Sequence, residues 1–323
     1  MKAISDIINF VCKGERHSMR GLLPIWKEKG MTSHDVVFRL RKLLKMKKIG
    51  HTGTLDPDVD GVLLVCLGEG TKLVELLMDG QKEYQGSITL GYSTETEDAS
   101  GEKVSTTPVL TPVNIDLIDQ KMAEMEGVIN QVPPYYSAVK VNGRKLYEYA
   151  RSGEKVERPI RQVQIDSFIR TSEPVYNESQ QTQTWDFHVV CGKGTYVRTL
   201  AVDLGEKLGF ASHMSRLTRN ATGGFNQQQA LTLAQVQAAV EQGTINEAIC
   251  SIESALTEFP SIILTESQYR DVQHGKLLPH DYFSSLVSEP TVLFYQGLAR
   301  AIYQPHPLKP NLLKPLRMFV ENE

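Results

Sequence analysis

With 323 residues, 41% of them hydrophobic and 23% charged, the chain is long enough to bury more than one core and too apolar to be disordered as a whole. A net charge of -3 argues against a nucleic-acid partner on bulk charge alone, and no apolar run approaches the roughly 20 residues that cross a bilayer. Cys12, Cys66, Cys191 and Cys250 stand far apart without a C-x-x-C pair, which speaks against a zinc site or a disulfide framework and suits a reducing cytoplasm.

Residues 1–20 show no clear period and read as an N-terminal extension with a weak helical turn. Their apolar patch is interrupted by Asn9 and lacks a small-residue cleavage site, so it is not a signal peptide. At Thr32 and Asp35 a capping-box-like start opens an amphipathic helix carrying Val36, Val37, Leu40, Leu43 and Leu44 at helical spacing. Its polar face holds Arg39, Arg41, Lys42 and Lys45 and continues into Lys47 and Lys48 without a carboxylate between them. Such a patch either attracts phosphates or is a solvated helix face. A glycine-punctuated loop, Gly50-His51-Thr52-Gly53-Thr54-Leu55-Asp56-Pro57, follows, and then the continuous apolar run 62–67 predicts a buried strand.

Downstream, the pattern predicts a helix over 69–79, an alternating strand over 82–91, a long surface loop over 93–112 and a helix over 114–126. Pro133 and Pro134 impose an extended path, Asn142-Gly143 a tight turn, and 145–151 a short basic and aromatic helix. Strands near 163–170 and 184–191 precede a break at Gly192 to Gly194, a helix over 196–208 and another over 231–240. Beyond Pro260 the texture changes to short β pieces at 261–264, 291–295 and 298–303, the last two joined through Gln296-Gly297. These elements predict an α+β body with a mixed or antiparallel sheet, residues 21–250, and a small β-rich module, residues 251–323.

Asp56 precedes a proline, which restricts it to extended geometry; a loop aspartate of this kind is either a turn residue or a working acid. Asp56-Pro57-Asp58-Val59-Asp60-Gly61 opens like a calcium loop, but its twelfth position is Leu67 and the intervening residues are apolar, so calcium does not fit. A P-loop, a Rossmann glycine pattern, H-E-x-x-H and G-x-S-x-G are all missing from the sequence. What remains is one carboxylate, a nearby histidine, scattered tyrosines and arginines, and a basic helix. That set suits an acid acting on a base or sugar positioned by phosphate contacts, with an aromatic to stack on the base.

The loop 50–57 with Gly61-Val62-Leu63 resembles the catalytic motif of the TruB family of tRNA pseudouridine synthases. The resemblance extends, in order, to 30–37, Lys82-Glu83-Tyr84, Thr94-Glu95-Thr96-Glu97-Asp98 with Gly101, 133–140, 145–151 and 194–200. It implies a pseudouridine synthase domain with an RNA-gripping insertion at about 131–160 and a PUA-like RNA-binding module at its C-terminal end. The implied protein is a cytoplasmic, cofactor-free and metal-free monomer that flips the T-loop uridine (position 55 in tRNA numbering) out of the tRNA T-arm and isomerises it to pseudouridine.

Residue by residue, the resemblance makes Asp56 the catalytic aspartate, Tyr84 an aromatic that stacks on uracil and moves a proton, and Arg198 the partner that keeps Asp56 ionised and aimed. His51 fills the space that flipped bases vacate, and Tyr196 and Leu217 line the uracil pocket. Lys27, Arg39, Lys42, Lys45, Lys140 and Arg151 are expected on the RNA surface.

Two departures from the family pattern stand out. Asp58-Val59-Asp60 replaces an apolar and small-residue stretch, and these carboxylates are expected to point outward because inward they would repel phosphate and Asp56. Trp26-Lys27-Glu28-Lys29-Gly30 keeps the lysine of its motif but loses the aspartate and proline. The altered 58–60 stretch also admits a rival reading, a non-catalytic RNA-binding or RNA-folding protein on the same scaffold.

Overall fold

A computed structural model describes residues 19–319; most of the expected N-terminal extension lies outside the described residues. The chain opens with β1 (Gly21–Lys27), α1 (Ser33–Leu43), β2 (Ile49–His51) and β3 (Asp60–Leu67). Helix α1 begins as its sequence predicts: the Thr32 hydroxyl accepts from the Asp35 amide and the Asp35 carboxylate accepts from the Thr32 amide. The expected 69–79 helix is divided, a 3-10 turn at Gly68–Leu73 leading into α2 (Val74–Met78).

Next come β4 (Lys82–Leu90), β5 (Tyr92–Thr94), β6 (Lys103–Thr106), α3 (Ile115–Ala123) and β7 (Gly127–Gln131). The stretch expected as a long surface loop thus holds a small hairpin, β5 with β6. The stretch 131–160 contains β8 (Lys140–Val141), β9 (Arg144–Lys145) and α4 (Leu146–Ser152), the strands joined through Asn142-Gly143 with both φ positive. There follow β10 (Arg161–Arg170), β11 (Val175–Asn177), β12 (Thr182–Cys191), α5 (Val197–Leu208), β13 (Ser212–Thr222), β14 (Phe225–Asn226), α6 (Leu233–Gln242) and α7 (Ile245–Ala248). The C-terminal elements are β15 (Ser261–Ile263), α8 (Glu266–Val272), β16 (Leu278–Pro279), β17 (Thr291–Tyr295), β18 (Leu298–Pro305) and β19 (Leu312–Met318).

The body is a ten-stranded mixed sheet in the order β1-β3-β13-β4-β12-β10-β7, with β2 on β3, β11 on β12 and β14 on β13. Its neighbours are antiparallel apart from β13 beside β3, where Thr218 meets Asp60 and Arg219 meets Gly61 in parallel. The α+β expectation therefore holds. Helix α5 packs Leu200, Ala201 and Leu204 into a cluster with Ile88, Phe168, Trp185 and Phe187 of the sheet, while α1 and α6 pack with β1 and β3 around Leu23, Val36, Leu40 and Leu63.

A second, five-stranded sheet, β15-β17-β18-β19-β16, forms the C-terminal part. It is bound to the body through a shared apolar cluster in which Leu22, Leu64 and Phe225 meet Val292, Ile302 and Phe319. Arg317 adds a bond to the Lys72 carbonyl at 2.8 Å and an ion pair with Glu75. Among the described residues no helix is long and apolar enough to cross a membrane.

Candidate active site

The loop between β2 and β3 carries Asp56, and the surrounding elements fix it from several sides. At the start of α1, the Ser33 hydroxyl accepts from the Leu55 amide at 2.9 Å. The Gly30 amide donates to the Pro57 carbonyl at 2.9 Å, and Val59 closes a turn onto the Asp56 carbonyl at 3.1 Å. On the other side Arg219 of β13, fully buried, donates through Nε to the Val62 carbonyl at 2.8 Å and through Nη2 to the Gly53 carbonyl at 3.1 Å.

Lys27 belongs to this scaffold and not to an RNA-facing surface. Its side chain is wholly buried, and the ammonium donates to the carbonyls of Met31 at 2.7 Å, Glu28 at 3.1 Å and Pro57 at 3.2 Å. Burial lowers its pKa, and the nearby Asp60, Asp56 and Asp58 oppose that fall. The expectation of a phosphate contact is corrected accordingly: no external phosphate reaches a sequestered ammonium. Lys27→Met is expected to lower unfolding free energy by about 2–3 kcal/mol, the cost of stranding buried carbonyls. Chemical denaturation checks this, and an unchanged midpoint together with weakened RNA binding would return Lys27 to the RNA surface.

Arg198 sits in the first turn of α5, whose entry is pinned by Gln131: the Tyr196 amide donates to Gln131 Oε1 at 2.8 Å and Gln131 Nε2 donates to the Tyr196 carbonyl at 3.1 Å. The guanidinium is used on every side. Nε lies 3.2 Å from Asp56 Oδ2, Nη1 donates to the Thr96 carbonyl at 2.9 Å, Nη2 donates to the Tyr136 carbonyl at 2.9 Å, and Asp98 Oδ2 stands 3.7 Å from Nη1.

The Asp56 side chain is 44% exposed against 8% for Arg198, so the pair presents an open carboxylate on a fixed, buried cation. Burial raises the Asp56 pKa, Asp98 and Asp58 add to the rise, and Arg198 and Lys27 oppose it. The arginine thus aims the acid and limits the rise without reversing it, a weaker electrostatic hold than the motif alone implies.

The pair opens onto a cleft of about 390 Å³ walled by residues 56–59, Thr96, residues 98–100, Tyr136, Arg198 and residues 214–217. Leu217 lines it, carried by β13, whose register shifts between Met214 and Arg216. A bulge of this kind re-aims side chains at one wall. Arg216, in the same wall, bonds Ser87 Oγ at 3.2 Å and pairs with Asp186 at 3.0 Å.

The other expected residues lie further back. Tyr84 is buried in the core with Leu55, Val59 and Leu217, and burial raises its phenol pKa; its ring is not part of the cleft wall. Tyr196 is half-buried at the start of α5 and is also outside the wall. His51, at the end of β2, accepts from the Gly53 amide through Nδ1 at 3.3 Å; burial and Arg219 depress its pKa, which favours the neutral ring.

The outward expectation for Asp58 and Asp60 divides. Asp58 is exposed yet edges the cleft, whereas Asp60 turns to β13 and accepts from the Thr218 hydroxyl at 2.6 Å. Arg39, Lys42 and Lys45 are exposed on and just after α1, Lys42 lying 4.4 Å over the Phe38 ring. Lys140 and Arg151 are exposed on the insertion. Reasoning from residue types missed Thr96, Asp98, Tyr136 and Arg219. The segment 94–98 stood out in sequence, but nothing there shows which of its atoms meet Arg198.

Comparison with known proteins identifies the family. Residues 41–197 match the family model described as TruB family pseudouridylate synthase (N terminal domain), and residues 198–257 match the tRNA pseudouridylate synthase B C-terminal domain. A Bacillus cereus protein named tRNA pseudouridine synthase B is 45% identical over 94% of this chain and 99% of its own length. A Staphylococcus epidermidis protein of the same name is 48% identical over 93% of this chain and 99% of its own. Among solved structures, the crystal structure of a Cbf5-Nop10-Gar1 complex contains a chain with a TM-score of 0.69 and 26% identity, covering 95% of this chain and 85% of that one. Two family models in succession and 45–48% identity to such relatives over nearly the whole chain converge on one assignment: this chain belongs to the TruB family of pseudouridine synthases and is an isomerase.

Proposed function

We propose that the protein isomerises the T-loop uridine of tRNA to pseudouridine, with Asp56 as the catalytic carboxylate. The single observation that carries this reading is the open Asp56 carboxylate held 3.2 Å from a buried Arg198 at the wall of a nucleoside-sized cleft. Names of relatives that act on tRNA supply the substrate. The reaction breaks the C1′–N1 glycosidic bond, turns the uracil and joins C1′ to C5; the proton at C5 leaves and N1 gains one. It is redox-neutral, so its balance calls for no cofactor or metal.

A carboxylate beside C1′ stabilises or traps the positive charge that develops as the first bond breaks, as in glycoside chemistry. The target base is inaccessible inside a folded T-arm, so it must be flipped out, and His51 takes the space it leaves. Leu217 packs on the uracil; Tyr84 and Tyr196 reach it once RNA parts the wall. Arg39, Lys42 and Lys45 on α1 and Lys140 and Arg151 on the insertion hold phosphates, and the five-stranded sheet, reading as PUA-like, extends the RNA surface within residues 251–323. The extension at 1–20 and the body at 21–250, with its insertion at 131–160, complete the division. The protein works as a cytoplasmic monomer.

Incubation with unmodified tRNA followed by mapping of pseudouridine tests the reading. Product at the T-loop uridine is expected; none from the wild-type protein would leave only an RNA-binding or RNA-folding role on this scaffold. The basic patch has its own check: Lys42→Ala with Lys45→Ala should reduce the slope of log affinity against log salt by about 1 for each cation, with no change in which uridine is modified. An unchanged slope would make these lysines a solvated helix face.

A further inference from the structure

One acidic side chain touches three segments of the site and has no part in the chemistry described so far. Glu97 adopts a left-handed backbone conformation, φ 64°, which is uncommon for a residue with a side chain. Two backbone bonds hold it there: its amide donates to the Thr94 carbonyl at 3.2 Å, and its carbonyl accepts from the Met214 amide at 3.0 Å. The side chain, only 17% exposed, turns toward α5 and the insertion. Oε2 accepts from the Thr199 hydroxyl at 2.6 Å and Oε1 lies 3.9 Å from Arg158 Nη1.

Both partners occupy telling positions. Thr199 immediately follows Arg198 on α5. Arg158 stands at the returning end of the insertion, donates to the Pro133 carbonyl at 3.1 Å and places its guanidinium 4.5 Å from the centre of the Tyr135 ring. Tyr135 in turn donates through its hydroxyl to the Val156 carbonyl at 3.2 Å. The two ends of the insertion are thereby tied together through Arg158. Glu97 fastens the tied ends to the helix that carries Arg198. The carbonyls that Arg198 grips belong to Thr96, next to Glu97, and Tyr136, next to Tyr135.

We propose that Glu97 is a positioning residue: a latch that fixes the 131–160 insertion against the arginine-bearing helix and so keeps Arg198 aligned with Asp56. A carboxylate suits the task because one oxygen accepts the hydrogen bond of the Thr199 hydroxyl while the other faces a cation. Burying it costs free energy unless both ends are satisfied, which is why the geometry implies a role and not an accident of packing. The latch also links the RNA-gripping cations of the insertion to the catalytic pair, since displacement of one end is transmitted through the Tyr136 carbonyl to the guanidinium.

The activity arm of the test rests on the proposed isomerase reading; the other arm does not. In the free full-length protein, Glu97→Ala should speed amide hydrogen exchange at Ser137, Leu146 and Tyr147, whose amides are bonded within the insertion, by on the order of 10-fold. Amides of the C-terminal sheet should be unaffected. Glu97→Gln, which keeps an acceptor for Thr199 but loses the charge, should fall between wild type and alanine. Arg158→Gln should reproduce the change, and combining it with Glu97→Ala should add little.

In single-turnover reactions on unmodified tRNA, Glu97→Ala should slow product formation by about 10- to 100-fold with tRNA affinity unchanged. Unchanged exchange in the insertion, strictly additive variants, or an equal rise in exchange across both sheets would overturn the latch. A wild-type protein that forms no pseudouridine would defeat the isomerase reading and leave the exchange arm to decide on the latch.

Discussion

Asp56→Asn is expected to abolish pseudouridine formation, lowering the single-turnover rate by at least about 10,000-fold, the scale seen when a group that meets the reacting atoms is removed. Asparagine keeps the shape and one carbonyl oxygen, so the 3.2 Å contact with Arg198 Nε can persist as a neutral hydrogen bond. The lost property is the negative charge that, in the proposed mechanism, stabilises or traps the anomeric carbon. Because the carboxylate is raised in pKa by burial and pushed further by Asp98 and Asp58, its neutral replacement should not destabilise the fold, and tRNA affinity should hold or improve as repulsion from phosphate falls. A filter-binding assay beside product mapping separates these effects. Residual activity within about 10-fold of wild type, far short of that scale, would remove Asp56 from the chemistry.

Arg198→Ala carries the second large effect, and it touches both stability and rate. The buried guanidinium serves Asp56, the Thr96 carbonyl and the Tyr136 carbonyl together, so its removal takes the cation from a half-exposed carboxylate and leaves two backbone acceptors unmet. Leaving the two carbonyls unmet costs about 1–3 kcal/mol each, and the single-turnover rate should fall on the order of 100- to 1,000-fold as Asp56 loses its aim. Arg198→Lys restores the charge but not the planar fork that reaches three directions, so it should recover little of either. Chemical denaturation and single-turnover kinetics on both variants provide the check. A lysine variant close to wild type would show that charge alone suffices.

Much of the body was legible because its elements follow simple periodicities. The 62–67 run became the core of β3 and the Thr32–Asp35 pair did cap α1. Strands with mixed chemistry were not legible. In β13, Arg216 and Arg219 sit on a strand whose register shifts twice, which destroys the two-residue alternation that would reveal it. In β1, Pro24 argues against a strand, yet β1 is the sheet edge, where a missing amide is tolerated.

The site shows the same division. Asp56 and Arg198 emerged from motif resemblance, but their contact depends on how α5 is set against β13 and on no local spacing. Lys27 was misplaced because lysines are rarely sequestered, and only the three carbonyls converging on its ammonium account for this one. Tyr84 was placed on the base, but the core into which its ring packs is an outcome of tertiary structure.

Gly61 sets a mechanical tolerance for the enzyme. It lies at the parallel junction of β3 and β13, with φ 127°, and a Cβ there would intrude on the backbone of Arg219. The loop with Asp56 leaves from one side of this junction and the wall with Leu217 from the other. Any side chain at this position would act as a wedge, spreading the two jaws of the cleft from their common hinge. The gauge of the cleft is therefore set by a hydrogen atom at a residue outside its wall.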